Sequence, residues 1–361
     1  MKKLTIFSLT YLLFTNYATS QGCIMVRNIS GFGQYNLTDN AFSTSVWQIN
    51  VNSRYFKAFR DFKGTTDQNT KKEDESIVRS YTMDITVSRM LNNGWSMDLS
   101  LPIAANSRSA TLEHGGLGTP RHSTHTFGIG DIRFTAYKWL LKPTVYLKGN
   151  IQLGIGIKLP TGDYKYQDYF YRNDSTKVLA PVNASIGLGD GGTGIITELN
   201  TFYYINATKT ISFYGNFYYL INARDQSGVS TTNGKTPTAL QIKIGSDIYS
   251  VPDVYSIRSG FIFNFSKLVF SVGLRDEGVP VHDLFGGSNG LRRPGHNLSA
   301  EPGLIFKMKK VTLYSYIPFI VARKIRQNPT DAMATKITGV YTKGSGGSGN
   351  YSVFAGVQFK L

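Results

Sequence analysis

Acidic and basic side chains recur at alternate positions along many segments of this sequence, opposite a set of apolar residues. In an extended chain successive side chains point to opposite faces, so these charges would share one face. An isolated buried charge is too costly to persist, so each group must form an ion pair or contact water. The charges would therefore either line a narrow water-filled path and set up an electric field across it, or form ion pairs that close the enclosed space. The acids are Asp84, Asp98, Asp131, Glu198, Glu277 and Glu301, and the bases are Arg54, Arg133, Lys148, Lys158, Arg258, Arg275, Lys307 and Lys360.

Residues 273–303 hold the densest set of charges. The glycines of this segment and its Arg293-Pro294-Gly295 turn permit a compact fold. We predict that the segment folds into the mouth of the enclosed space, where Arg292 and Arg293 form a constriction that selects solutes. The alternative is a surface loop held together by pairs between arginines and carboxylates. The full set of candidates for solute selection is Arg54, Asp131, Arg133, Lys148, Glu198, Arg258, Arg275, Glu277, Arg292, Arg293 and Glu301.

Histidines and serines raise the question of metal or hydrolytic chemistry. His114, His122 and His125 lie close together in sequence, but no carboxylates accompany them at ligand spacing, so we interpret them as solvated loop residues. A hydrolase needs a nucleophile beside a His base, and no family motif surrounds either available pair. No P-loop, dinucleotide-binding or haem-attachment motif is present. We therefore predict no metal, no cofactor and no enzymatic activity. The available pairs are His282 with Ser288 and His122 with Ser123.

The clearest element that could position such charges is a segment of alternating polarity from Val145 to Leu159. A period of two over this length predicts a β-strand with one apolar and one polar face. At about 3.3 Å per residue and a tilt near 45°, it would rise about 35 Å, enough to cross a bilayer core of about 30 Å. The strand that precedes it carries Asp131 and Arg133 on its polar face. Only Leu141, Lys142 and Pro143 are predicted to separate the two strands.

Similar segments throughout the chain predict an all-β fold, a transmembrane antiparallel β-barrel of about twelve strands. Strands of soluble proteins usually have about five or six residues, so the length of these segments argues against a soluble β-sandwich. Long loops alternate with turns of about two to four residues, as in outer-membrane barrels, and both termini would be periplasmic. The predicted strands cover about 44–59, 77–91, 95–103, 127–137, 145–159, 193–205, 211–222, 255–265, 268–275, 298–307, 311–324 and 351–361.

Composition and the N-terminal residues are consistent with an exported membrane protein. The 361 residues carry a formal net charge of +16 and contain 22 Tyr and 22 Phe, as aromatic girdles would require, but no apolar run long enough for a helical span. Residues 1–20 predict a signal peptide with Lys2, Lys3 and a small-x-small site ending at Ser20. Residues 21–43 would be a lead-in and 44–361 the barrel; lipidation of Cys23 is an alternative processing route. The positive charge suits anionic lipopolysaccharide or anionic solutes, whereas no nucleic-acid-binding module is visible.

Four glycine-containing stretches are spread over most of the predicted barrel. They are residues 128–132 (GIGDI), 154–162 (GIGIKLPTG), 188–192 (LGDGG) and 275–280 (RDEGVP). With these patterns the chain resembles the phenol-degradation meta-pathway type of outer-membrane protein, a broad group usually described as transporters. The resemblance implies an outer-membrane barrel with a role in moving small, hydrophobic compounds, and it leaves the substrate open.

We therefore predict an outer-membrane channel or transporter that gives small solutes, hydrophobic or anionic, a passive path through a polar lumen of mixed charge. Loops folded into the barrel would gate this path. The expected partners are outer-membrane lipid and lipopolysaccharide, the barrel-assembly machinery during biogenesis, and a small-molecule solute, but no nucleic acid. The rival interpretations are a barrel enzyme acting on outer-membrane lipids, and a structural or receptor barrel in an envelope complex.

Overall fold

The computed structural model describes residues 46–361 except 71–73, 92–93, 117 and 143–144. The predicted signal peptide (1–20), the lead-in (21–43) and Cys23 lie outside the described residues and stay predictions. No helix among the described residues is long and apolar enough to span a membrane.

The described chain is almost entirely β-structure. Three short helices interrupt it: the 3-10 helix η1 (Ala184–Ile186), α1 (Ala239–Ile244) and α2 (Pro329–Thr338). The strands are β1 (Trp47–Ala58), β2 (Arg60–Lys63), β3 (Thr66–Asp67), β4 (Ile77–Met90), β5 (Trp95–Ala110), β6 (His122–Ile129), β7 (Arg133–Trp139), β8 (Gly149–Lys158), β9 (Gln167–Tyr171), β10 (Lys177–Pro181), β11 (Gly194–Tyr204), β12 (Ile211–Asn222), β13 (Gln226–Ser230), β14 (Ile248–Ser250), β15 (Val254–Phe265), β16 (Leu268–Val279), β17 (Gly295–Lys307), β18 (Val311–Tyr316), β19 (Phe319–Ile325), β20 (Gly346–Ser348) and β21 (Ser352–Lys360).

The long strands form one antiparallel sheet that closes on itself. The order runs β16-β15-β12-β11-β8-β7-β5-β4-β1-β21-β18-β17, and β17 pairs with β16 to complete the circle. β6 and β7 both pair with β5, and β18 and β19 both pair with β17, so each of these two pairs is one interrupted strand. The prediction of a twelve-stranded antiparallel barrel is confirmed.

Both interruptions have a local cause. Between β6 and β7, the Thr161 hydroxyl donates to the Gly130 carbonyl and accepts from the Ile132 amide, each at 2.9 Å, and so occupies the place of a neighbouring strand. Between β18 and β19 stands Pro318, which has no amide hydrogen to give to a ladder.

Alternation of polarity fixes which face of each strand points outward. On β8 the side chains of Leu153, Ile155 and Ile157 are 43%, 64% and 40% exposed, while those of Gln152 and Lys158 are buried. An apolar outer belt around a polar interior is the arrangement that a bilayer imposes on a barrel. At one rim, cations stack on outward aromatic rings, with Arg89 over Trp47, Lys138 over Trp95 and Lys148 over Tyr203 at 4.8–5.1 Å from the ring centroid.

Short connections lie at one end of the barrel, the turn end, and long ones at the other, the loop end. The turns after β4, β11, β15 and β17 are short, but the one between β7 and β8 spans residues 140–148 and contradicts the predicted three-residue turn. The Asn150 side chain bonds both the amide and the carbonyl of Leu141 at 3.1 and 2.9 Å, which replaces the next ladder pair and ends the strands there. The predicted strand from Val145 therefore begins only at Gly149.

Long connections carry more structure than the sequence indicated. The region predicted as a loop from 104 to 126 is mostly strand, since β5 continues to Ala110 and pairs with β6 along its length. Short hairpins and helices also form within the other long connections, namely β2–β3, β9–β10, β13–β14, α1 and α2.

Inward tyrosine rings lie against glycines of neighbouring strands. A Cβ atom on Gly356 would lie 2.2 Å from Cζ of Tyr314, and one on Gly154 would lie 2.6 Å from the Tyr137 ring. The Tyr314 hydroxyl in turn donates to Asn50 Oδ1 at 2.9 Å. The glycines therefore provide the space in which large rings fill the barrel.

Replacement of one such glycine should destabilise the barrel. Gly356→Val would force the Tyr314 ring out of its position, and we expect a loss of about 1–3 kcal/mol in the free energy of unfolding. The adjacent Ala355 points outward and is exposed, so Ala355→Val is the matched control and should be nearly neutral. Urea unfolding of both variants in lipid vesicles measures the difference; equal stabilities would show that the ring has room to move.

Candidate functional site

The interior of the barrel contains a buried network of charges on β15, β16 and β17. Glu301 is fully buried and accepts hydrogen bonds from two arginines. Arg258 donates to Oε1 through Nη2 at 2.6 Å, and Arg275 donates to Oε2 through Nε at 2.6 Å. Arg275 also lies 3.4 Å from Glu277. Both guanidinium groups lie over the Tyr316 ring, and that of Arg275 also lies over the Phe354 ring, as in cation–π contacts.

The network extends across the lumen from β16 to β1. Arg54 on β1 lies 3.9 Å from Glu277 on β16, although β21, β18 and β17 separate the two strands in the sheet. On the far side of Arg54, Arg133 donates to Asp84 at 2.8 Å. These charges thus link strands that do not pair with each other.

Toward the turn end the interior contains neutral amides. Gln358 donates to Gln48, and Asn200 donates to Gln152 at 3.1 Å and accepts from Asn216. Amide groups of this kind can hydrogen-bond either each other or a passing polar solute.

Three of the glycine-containing stretches meet in one cluster at the loop-end side of the charges. Lys158 bonds Asp190 and lies 3.6 Å from Asp131. Asp131 accepts from the Gly162 amide at 3.0 Å, and a Cβ on Gly189 would lie 2.5 Å from Asp131 Oδ1. The glycines therefore let the backbone of these stretches approach the buried carboxylate of Asp131 closely.

A cavity of about 240 Å³ lies next to this cluster, inside the loop-end half of the barrel. Its floor is formed by barrel residues that include Arg133, Lys158 and Tyr218. Its sides are formed by parts of the long connections that fold inward, residues 182–190, 227–229, 249–250 and 291–293. The wall combines aliphatic side chains with charged groups of both signs.

Residues 182–190 are the part of this wall that the sequence did not predict. The Ile186 carbonyl accepts from the Thr126 hydroxyl at 2.6 Å and from the Asn106 amide at 3.2 Å, which holds η1 inside the barrel. Asn183 caps η1 and donates to Glu113 Oε1 at 2.9 Å. Ile186 and Leu188, both buried, were the available signals in an otherwise polar connection.

No protein-family model matches the chain, and no curated protein sequence matches it. Among solved structures, an outer membrane channel from Pseudomonas putida F1 is similar, with a TM-score of 0.57 and 10% identity over 89% of this chain and 97% of that chain. The chain has the fold of an outer-membrane β-barrel. The Ralstonia pickettii toluene transporter TbuX also matches, with a TM-score of 0.41 and 9% identity over 89% of this chain and 91% of that chain. At these identities the likeness concerns the fold alone.

Arg292 and Arg293 both line the cavity, but the structure separates their positions. Arg292 is buried and its Nη1 and Nη2 atoms donate to the two oxygens of Asp283 at 2.6 and 2.5 Å. Arg293 is half-buried, and it lies where a Cβ on Gly344 would meet its guanidinium. The segment therefore contains an arginine paired with a carboxylate and also lines the cavity. The selection of solutes by Arg292 and Arg293 stays a prediction.

Lys148 is the candidate that the structure places elsewhere. It lies in the turn-end connection, is exposed, and stacks outward on Tyr203, so it does not line the lumen. The reason is the early end of the hairpin at Asn150, which removes Lys148 from the alternation. Lys307 and Lys360, also predicted inward, are half-buried at the same rim. Glu198 is buried, with Tyr137 and Arg133 as its polar neighbours.

The histidines are not uniformly solvated. His114 is buried, accepts from the Tyr171 amide at 3.0 Å, and burial lowers the pKa of its imidazole to about 4. His122 stacks on the Tyr171 ring, whereas His125 is exposed. Within the described ranges these histidines form no group of three metal-ligating side chains. Neither His282 with Ser288 nor His122 with Ser123 is hydrogen-bonded in the part of the chain that is described.

Proposed function

We propose that this protein lies in the outer membrane and gives small solutes a passive path through its barrel. The observation that carries the proposal is the internal cavity, which lies inside a closed barrel with an apolar outer belt and is bordered by opposed charges and inward-folded loops. The loop end would face outward and the turn end, with both chain termini, the periplasm. A shared fold with an outer membrane channel supports the proposal.

The proposed path has three stages. A solute enters between the inward-folded segments and occupies the cavity, passes the layer of ion pairs around Arg54 and Glu301, and leaves along the amides near Gln152. Because the inward side chains of this layer are buried against one another, passage requires the ion pairs to exchange partners. The lumen therefore acts as a narrow, gated route in which the candidate charges choose among solutes.

The partners follow from this location. The outward belt would contact outer-membrane lipid and lipopolysaccharide, and the barrel-assembly machinery would insert the chain. The resemblance to the phenol-degradation meta-pathway type of protein favours small hydrophobic solutes, and the basic charge favours anionic ones. A barrel enzyme acting on lipids and a structural or receptor barrel are the competing classes.

Single-channel recording of the refolded full chain in a planar bilayer tests the proposal. We expect small, discrete, ion-selective conductance steps, with a reversal potential under a salt gradient that reports the sign of the preferred ion. Arg54→Lys should alter that selectivity, whereas Asp174→Asn, on an exposed loop, should not. No conductance and no solute uptake by vesicles that contain demonstrably folded barrel would reject a passive path.

A further inference from the structure

The internal cavity has more hydrogen-bond donors than its protein surroundings use. Arg133 is 3% exposed and lines the cavity floor. Its Nη2 atom donates to Asp84 at 2.8 Å, but Nε and Nη1 are buried and have no acceptor among the described residues. The Tyr218 side chain, also in the cavity floor, lies beside this guanidinium.

A second arginine and one hydroxyl group of the cavity wall also have hydrogen-bond donors that no acceptor among the described residues uses. Arg292 uses Nη1 and Nη2 on Asp283, while its buried Nε has no acceptor in the described part of the chain. Ser185 Oγ is also buried without a partner there. Leaving such groups unsatisfied is costly, so the cavity favours an occupant that accepts hydrogen bonds.

Acidic groups of the wall are, in contrast, already satisfied. Asp131 accepts from the Gly162 amide and lies beside Lys158, and Asp190 accepts from Lys158 and from the Gly192 amide at 2.8 Å. A cationic solute would therefore have to displace an existing partner. An anion would instead meet guanidinium N–H groups that have no acceptor among the described residues.

The rest of the wall combines aliphatic side chains with polar residues such as Asn183 and Ser227, and the volume is small. Aliphatic side chains of the barrel and of the inward segments face the space, whose volume is about 240 Å³. This room suits one ring or a short chain with a single polar end. The aliphatic lining residues are Val182, Leu188, Leu220, Val229, Val254 and Leu291.

We propose that the cavity is a binding site for small amphipathic monocarboxylates, whose carboxylate bonds Arg133 and whose apolar body contacts the aliphatic wall. This proposal rests on the proposed solute path only for its physiological purpose, since binding itself is measurable without transport. A planar carboxylate matches the fork of a guanidinium, which is why a neutral analogue of the same shape should bind less well.

Calorimetric titration of the full-length, detergent-solubilised barrel tests the site. Benzoate and its neutral isostere benzamide are the probes, and we expect benzoate to bind about tenfold more tightly or better. Arg133→Lys keeps a charge beside Asp84 but removes the fork, and should weaken benzoate binding by about tenfold. Arg60→Lys is the matched control, because Arg60 is likewise paired with an aspartate, Asp67, but does not line the cavity.

If the lysine variant fails to fold, the double variant Arg133→Met/Asp84→Asn removes both charges together and should bind benzamide as well as it binds benzoate. Equal affinities for the two probes, or unchanged benzoate affinity in Arg133→Lys, would overturn the site, as would the absence of binding to the folded wild-type barrel. Benzoate binding without flux across vesicles supports the site and rejects only the solute path. Flux across vesicles without any preference for carboxylates would support the solute path and reject the carboxylate site.

Discussion

Glu301→Gln is expected to destabilise the barrel by about 3–5 kcal/mol, because it leaves two buried arginines without their shared counter-ion. The carboxylate is fully buried and bonds Arg258 and Arg275 at 2.6 Å each. Gln has nearly the same shape, so a loss of stability would report the charge rather than a cavity. Denaturant unfolding in vesicles, followed by tryptophan fluorescence, gives the difference in free energy.

A further variant separates the network from general packing. In Arg258→Met/Glu301→Met the pair is removed together while Arg275 keeps Glu277, and stability should recover most of the loss, since an apolar replacement of a buried pair is often neutral. Asp174→Asn, on an exposed loop, controls for loss of one carboxylate. Wild-type stability of Glu301→Gln would mean that water, rather than Glu301, compensates the two guanidinium groups.

Arg292→Ala should release the segment 280–294 from the barrel interior. Its pair with Asp283 is bidentate and fully buried, and breaking such a pair by removing one partner costs about 3–5 kcal/mol. Because Leu284 and Phe285 are exposed at the tip, local opening would make chymotrypsin cleavage after Phe285 about a hundredfold faster or more. Single-channel conductance should rise as the wall of the cavity moves outward.

Two comparisons make this result specific. Arg326→Ala removes an exposed arginine from another loop and should change neither cleavage nor conductance. Arg293→Ala removes the half-buried neighbour and tests whether that residue adds to ion preference without holding the segment. The segment is also held by two other hydrogen bonds, in which the Asp253 amide donates to Asp283 and the Leu284 amide donates to Asp253. Cleavage of Arg292→Ala at the wild-type rate would show that these two bonds are sufficient to hold it.

The sequence by itself determined the fold class, the number of strands, and whether most strand side chains point into the barrel or outward. A β-strand alternates faces with a period of two, so polarity along segments such as 77–90 and 149–158 assigns inside and outside without knowledge of the neighbours. Strand length and the alternation of long and short connections then indicate a membrane barrel. The same rule failed at Lys148, because a side chain, Asn150, ended the ladder before that residue.

Only the tertiary structure decided which charges meet. Arg54 and Glu277 are far apart in sequence and on strands that do not pair, so their contact depends on barrel closure and diameter. The inward position of residues 182–190 depends on hydrogen bonds from Asn106 and Thr126 to one backbone carbonyl, and a backbone acceptor leaves no mark in the sequence. Alternation is a local property of the chain and can be read from it, whereas contacts across a lumen are set by the geometry of the closed sheet.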